Sequence, residues 1–334
     1  MKKLLNKPDR FVVEMLEGIL AAHGDELQSA GSDLHCLVRR RRTGERRKVG
    51  IVTGGGSGHL PLFLGFVGPG LLDGVAVGNV FASPSAKQMF QVTKAADQGE
   101  GVLYLYGNYS GDVINFEMAS EMAEAEGIRT VHVRGNDDAA SSIKGEEYKR
   151  RGVAGIYFAY KIAGGAADAG LGLDEVARIA QKAVDRTRTV GVALSPCIIP
   201  EVGKPGFTLG DDEMELGMGI HGEKGISRTK LKTADETVDA IMGIILHDME
   251  IPKGSKVSVL VNGLGATPRE ELYILFRRVY EIIAGMGVET HRVRLGEFAT
   301  SMEMSGASVS ILLLDEELAR YLDKSAESPF FPAP

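Results

Sequence analysis

The sequence has no surplus of positive charge: 38 Lys and Arg stand against 45 Asp and Glu, a formal net charge of -7. Neutralising phosphates needs basic residues gathered on one face, so this balance argues against nucleic acid as a partner. The one basic run, Arg39 to Lys48 (RRRRTGERRK), is centred on Thr43-Gly44-Glu45. It reads as a turn, with the arginines as solvated flanks of two strands. Cysteine is scarce. Cys36 and Cys197 lie far apart without metal-ligand spacing, which fits a reducing cytoplasm and leaves no disulfide framework, zinc site or other metal site to expect. No stretch approaches the ~20 apolar residues of a membrane span. The opening MKKLLNKPDR starts as a signal peptide does, but no apolar run follows it. A soluble, cytoplasmic protein without membrane contact is the expectation. There is also no internal repeat and no low-complexity tract.

What is present is an ordinary globular balance, 44% apolar and 25% charged over 334 residues, long enough for two domains with separate cores. Phe11, Val12, Met15, Leu16, Ile19 and Leu20 recur at helical spacing after Pro8-Asp9, and Gly24 closes that helix. Short apolar runs at 49–53, 102–106 and 130–133 read as strands, with a helix over 113–126 between the last two. A second series places strands at 189–194, 256–261, 289–294 and 309–314, with helices over 237–247 and 268–286. This alternation predicts an α/β protein of two α/β domains with mixed, partly parallel sheets. The domain boundary is set near residue 188, after a helix over 173–187. That gives an N-terminal domain over 1–188 and a C-terminal domain over 189–334. The proline-rich end, Ser328 to Pro334, reads as a loose tail.

Three polar segments stand out. Thr53-Gly54-Gly55-Gly56-Ser57-Gly58-His59 follows a strand, and so many glycines imply tight turning or close approach of a ligand to backbone N–H groups. The loop lacks the Lys-Ser/Thr of a P-loop, and no acidic residue is placed for a dinucleotide fingerprint, which disfavours an NAD-type dehydrogenase. Asn108-Tyr109-Ser110-Gly111-Asp112 comes at the end of the 102–106 strand, the edge where open α/β sheets bind ligands. Asp112 reads as a helix N-cap, a general base, or both. In Met218-Gly219-Ile220-His221-Gly222-Glu223, glycines flank the imidazole of His221, which can then serve as base, ligand or nucleophile.

Taken together, GGGSGH at 54–59, FASPSAKQ at 81–88, NYSGDVINF at 108–116, GKPGFTLGDDEMELGMGIHGEKG at 203–225 and VNGLGATPREELY at 261–273 resemble the substrate-binding (K) subunits of dihydroxyacetone kinases. The likeness runs from Met1 to about Leu322. It implies that His221 attacks a substrate ketone to form a hemiaminal, which selects ketoses over polyols because a polyol has no carbonyl to attack. It implies that Asp112 accepts the proton of the hydroxyl to be phosphorylated. His59 would hydrogen-bond the substrate and assist proton movement, and the backbones of Gly55 and Gly56 would line the pocket. In such kinases the nucleotide, ADP or ATP with magnesium, sits in a separate helical module. None is found in this sequence, so no cofactor is expected on this chain. A helical L-type nucleotide-binding partner, and a homodimer, are expected instead.

The sequence also departs from that pattern. Leu60 stands where Glu is usual, Gly107 where a substrate-contacting Lys is usual, Gly206 interrupts PSFTL, and Ala307 replaces a Phe. These changes remove polarity and open space, so a four-carbon or branched ketose such as erythrulose is the alternative substrate. A non-catalytic ketose sensor is the alternative from another class.

Overall fold

The computed structural model describes residues 2–331. The described chain forms two compact units. The first takes the chain through Arg134, then Ala159–Lys182 and the segment from Arg320; the second is Gly135–Phe158 with Ala183–Ala319. The units are therefore discontinuous where the sequence suggested one cut near residue 188. Close packing explains part of this. A Cβ added to Gly164 would stand 2.2 Å from the Gly70 carbonyl oxygen, so this late helix must lie directly on an early loop.

In the first unit, β1 (Leu27–Ser29), β2 (Cys36–Arg39), β3 (Gly50–Ser57), β4 (Gly74–Val80), β5 (Val102–Gly107) and β6 (Thr130–Gly135) form a sheet in the order β1-β2-β4-β3-β5-β6. The centre is parallel, β4 and β5 flanking β3, while β2 joins β4 antiparallel. Its helices include α1 (Phe11–His23), α2 (Ala86–Ala96) and α3 (Ser110–Ala125). One face of α2 and α3, through Met89, Val92, Phe116 and Ala119, buries against Val52, Ala76, Tyr104 and Tyr106 of the strands. Helices α4 (Ile156–Asp168) and α5 (Leu173–Asp185) follow, each with residues in both units.

The second unit carries β7 (Thr187–Ala193), β8 (Glu213–Leu216), β9 (Ser227–Lys230), β10 (Lys256–Gly263), β11 (Glu289–Gly296) and β12 (Gly306–Leu314), ordered β11-β10-β12-β7-β8-β9. β10 and β11 run parallel, and β10, β12, β7, β8 and β9 alternate in direction. Helices α6 (Ala234–Asp248) and α7 (Arg269–Gly285) cover the sheet; α8 (Glu316–Leu322) follows β12. Val238, Ile241 and Ile245 of α6 and Leu272, Val279 and Ile283 of α7 recur at helical spacing and pack on Val190, Val259, Val261 and Val309. Both units are thus α/β with mixed sheets. No helix among the described residues is long and apolar enough to cross a membrane.

Two expectations are corrected. Arg39 and Lys48 are not solvated flanks. Both are buried, Arg39 donating to Asp73 at 2.7 Å and Lys48 lying 3.3 Å from the same carboxylate. Asp73 also accepts the Ile51 N–H, so the two ends of the basic run meet on one buried anion, while Arg40, Arg41, Arg42, Arg46 and Arg47 between them are exposed as expected. Nor is the end loose as far as Phe331. The Ser328 hydroxyl donates to the Gly65 carbonyl at 2.6 Å, and the Phe331 ring stacks on Phe66 at 4.8 Å. Residues 332–334 lie outside the described chain.

A buried ion pair ties the second unit together. Arg150, with no exposed surface, binds both carboxylate oxygens of Asp248 at 2.5 and 2.8 Å, and Arg188 donates to the same carboxylate. Removing one member of such a group strands a charge in low dielectric. Asp248→Ala should therefore cost about 3–5 kcal/mol in urea denaturation. Asp174→Ala, which breaks the exposed pair with Arg129, should leave the midpoint unchanged.

Candidate functional site

The glycine segment is not a loop but the end of a strand. Gly54, Gly55 and Gly56 belong to β3 and pair with Ala76, Val77 and Gly78 of β4. Their bareness answers to neighbours. A Cβ on Gly55 would stand 2.3 Å from the Phe63 ring, and one on Gly56 would stand 2.7 Å from the Ala82 amide. The chain then turns at Gly58, φ +97°, and delivers His59.

His59 is buried between two aromatic rings. Phe81 stacks on it at 4.8 Å and 18°, and Phe63 meets it edge-on at 6.2 Å. Phe63 and Phe81 have φ of +66° and +58°, and Met302 is the one other non-glycine with positive φ among the described residues. Bulky side chains rarely adopt this conformation, and strain of this kind gathers at functional positions. Gly55, Gly56, His59 and Phe63 line one small cavity of about 10 Å³.

The segment after Phe81 reaches the start of α3. A Cβ on Gly111 would stand 2.7 Å from the Ser83 hydroxyl, and Asn115 donates to the Pro84 carbonyl at 2.8 Å. Asp112 is buried in the first turn of α3. It is not the N-cap: the helix starts three residues earlier than the apolar pattern indicated, and Tyr109 holds the cap position. A carboxylate in a first turn is favoured by the positive end of the helix dipole.

In the second unit, His221 sits in the connection between β8 and β9. Positive φ at Gly217 (+80°) and Gly222 (+81°) bends that connection back on itself. The Ser301 hydroxyl donates to the Ile220 carbonyl at 2.5 Å, and Gly225 N–H donates to buried Glu215 at 2.7 Å. Glu223 grips His221 twice. One carboxylate oxygen accepts the His221 backbone N–H at 2.9 Å and the other accepts ring Nδ1–H at 2.9 Å. A carboxylate on Nδ1 fixes the tautomer that carries its proton there, so the basic lone pair lies on Nε2. The side chain keeps 23% of its surface exposed, which leaves the imidazole open to a small electrophile.

Of the five residues singled out by sequence, Gly55, Gly56 and His59 come together at one cavity, Asp112 stands at the start of α3, and His221 belongs to the other unit. The sequence gives Glu223 no role beside His221 and assigns none to Phe63 or Phe81. The spacing His-Gly-Glu was visible, but only the bend at Gly222 turns the carboxylate back onto the ring.

Residues 17–330 match the Dak1 domain. The chain belongs to the Dak1 domain family. Its family relatives include the dihydroxyacetone-binding subunit DhaK of PTS-dependent dihydroxyacetone kinase 2 from Listeria innocua, 46% identical over 99% of each chain. The L-erythrulose kinase of Pectobacterium atrosepticum is 42% identical over 99% of this chain and 56% of its own length. A crystal structure of the dihydroxyacetone kinase of C. freundii superposes with TM-score 0.89 at 30% identity, covering 99% of this chain and 60% of that one. The chain therefore spans little more than half the length of those last two family members.

The Glu223 grip has a consequence in acid. Burial alone would raise its carboxyl pKa, but hydrogen bonding and attraction from His221, with Arg151 nearby, hold it down from 4.5 to about 2. A carboxyl depressed by folding stabilises the fold above its unfolded pKa and loses that contribution as pH falls through the folded value. In urea titrations, wild type should exceed Glu223→Gln in stability above pH 4.5, with the gap closing towards pH 2. A gap that stays constant across that range would contradict the assignment.

Proposed function

We propose that this chain is the substrate-binding subunit of a small-ketose kinase and holds the ketone covalently on His221. The hydrogen bond from His221 Nδ1 to Glu223 carries this reading, because it leaves Nε2 as the nucleophilic atom. The Nε2 lone pair adds to the carbonyl carbon, and the C=O π pair moves onto oxygen. The Nδ1 proton is relayed through the Glu223 carboxylate and solvent to that oxygen, so the product is a neutral hemiaminal. A carbonyl is required for the first bond, which excludes glycerol and other polyols by chemistry rather than by fit.

Asp112 is assigned the role of base for the hydroxyl to be phosphorylated, and His59 that of hydrogen-bond partner and proton carrier for the substrate oxygen. Backbone groups of Gly55 and Gly56 are assigned to the substrate pocket. The aromatic rings around His59 and the helix dipole behind Asp112 support these roles. The nucleotide, ATP or ADP with magnesium, is assigned to a helical L-type partner subunit. A homodimer working in the cytoplasm completes the proposal.

Leu60 and Gly107 support a second substrate, a four-carbon ketose, since neither supplies the charge usual in the resemblance. Relatives named as erythrulose kinases lend weight to that choice. Soaking the subunit with ¹³C-carbonyl dihydroxyacetone and both erythrulose enantiomers should give a tetrahedral-carbon resonance that disappears in His221→Ala. With the nucleotide-carrying partner added, Asp112→Asn should keep the adduct and lose phosphorylation by about 10²–10⁴-fold. Adduct formation without turnover by the wild type, in the presence of that partner, would instead identify a sensor.

A further inference from the structure

Behind Glu223 stands a second pair of charges. Arg151 donates from Nε to Asp138 at 2.8 Å, donates from its terminal nitrogen to the Gly217 carbonyl at 3.0 Å, and lies 3.9 Å from the Glu223 carboxylate. One guanidinium thus touches the anchor, the first bend of the His221 connection, and the residue that grips the imidazole. A Cβ on Gly219 would stand 2.2 Å from Glu223 and 2.6 Å from Arg151, so the glycine is what admits both groups beneath the loop.

The anchor is rigid. Asp138 is 3% exposed and pairs along β7 through Thr189. Ala139 N–H donates to the Thr189 carbonyl at 3.0 Å, while Gly217 N–H donates to Gly191 of the same strand at 2.7 Å. The Arg151 backbone is fixed as well, its N–H donating to the Ser141 hydroxyl at 3.0 Å. Burial, with the neighbouring Asp137, pushes the Asp138 carboxyl up to about 7 despite Arg151. The pair is costly, which is consistent with a purpose other than stability.

Resting on the covalent reading of His221, we propose that Arg151, held by Asp138, is a positioning residue that sets the orientation and tautomer of His221 through Glu223. Its planar fork donates to two acceptors in fixed directions while its charge faces Glu223 at 3.9 Å, which a lysine ammonium does not reproduce. Loss of an outer partner that orients an imidazole costs about ten- to a hundredfold in the function of that ring.

The test reads ¹⁵N spectra of the His221 ring and the affinity for ¹³C-carbonyl dihydroxyacetone in wild type, Arg151→Lys, Arg151→Met, and Asp138→Asn combined with Arg151→Met. Wild type should show the Nδ1–H ring. Arg151→Met should shift the ring towards the other tautomer and weaken ketone binding by about tenfold, with Arg151→Lys between the two. The double variant removes the buried charge left by the single one, and so reports on the ring in a relaxed fold. Wild-type ring spectra and wild-type affinity in Arg151→Met would overturn the proposal, as would unfolding of every variant, which makes the residue structural. Absence of an adduct in the wild type would instead refute the ketone reading, and the tautomer shift would then decide the positioning role by itself.

Discussion

A single carboxylate, that of Glu223, determines what His221 can do. By accepting both the backbone N–H and the ring N–H of the same residue, it fixes where the imidazole stands and which nitrogen is basic. An imidazole without this partner would exchange tautomers and rotate, offering Nε2 only part of the time. The glycines around it serve the same end. Gly219 makes room for the charged groups below, and Gly217 and Gly222 supply the backbone turns that bring Glu223 back to the ring. The reactivity proposed for His221 rests on a short loop made rigid, not on a flexible one.

The first unit reaches order by another route. There the histidine is sandwiched by phenylalanines whose own backbone is held at positive φ. Such residues persist only where surrounding packing over-determines them. Here the packing is the glycine end of β3 against Phe63 and against the backbone at Phe81 and Ala82. Residues 81–84 therefore link the strand, the buried histidine and the beginning of α3.

Much of this could be read in the residues. The α/β alternation, the long helices α1, α6 and α7, and seven of the strands follow from periodicity alone, whereas β4 and α4, both rich in apolar residues, were not marked. Short or polar elements did not: β1, β8 and β9 have three or four residues each, too few for a pattern. Helix α2 did carry a signal, the capping box formed by Ser85 and Gln88, inside a segment that was noted only for its resemblance. Arg39 and Lys48 misled because charge predicts exposure only until a partner such as Asp73 is known, and that partner is distant in sequence. The position of Asp112 within α3, rather than at its cap, depends on Ser110 and Gly111 joining the helix, which an apolar pattern cannot register. His221 was visible as chemistry, but the Asp138–Arg151–Glu223 series behind it was not, since its members come from separate stretches of chain.

The triple glycine of β3 also bears on how specificity can change in this family. Two of its three positions are filled from outside, one by an aromatic ring and one by a neighbouring backbone, so no side chain can be added there without displacing the histidine's own support. Variation in the ketose accepted must therefore be written elsewhere along the chain. Leu60, which lines the same small cavity as the buried histidine, is one position where the side chain can differ and those glycines stay untouched.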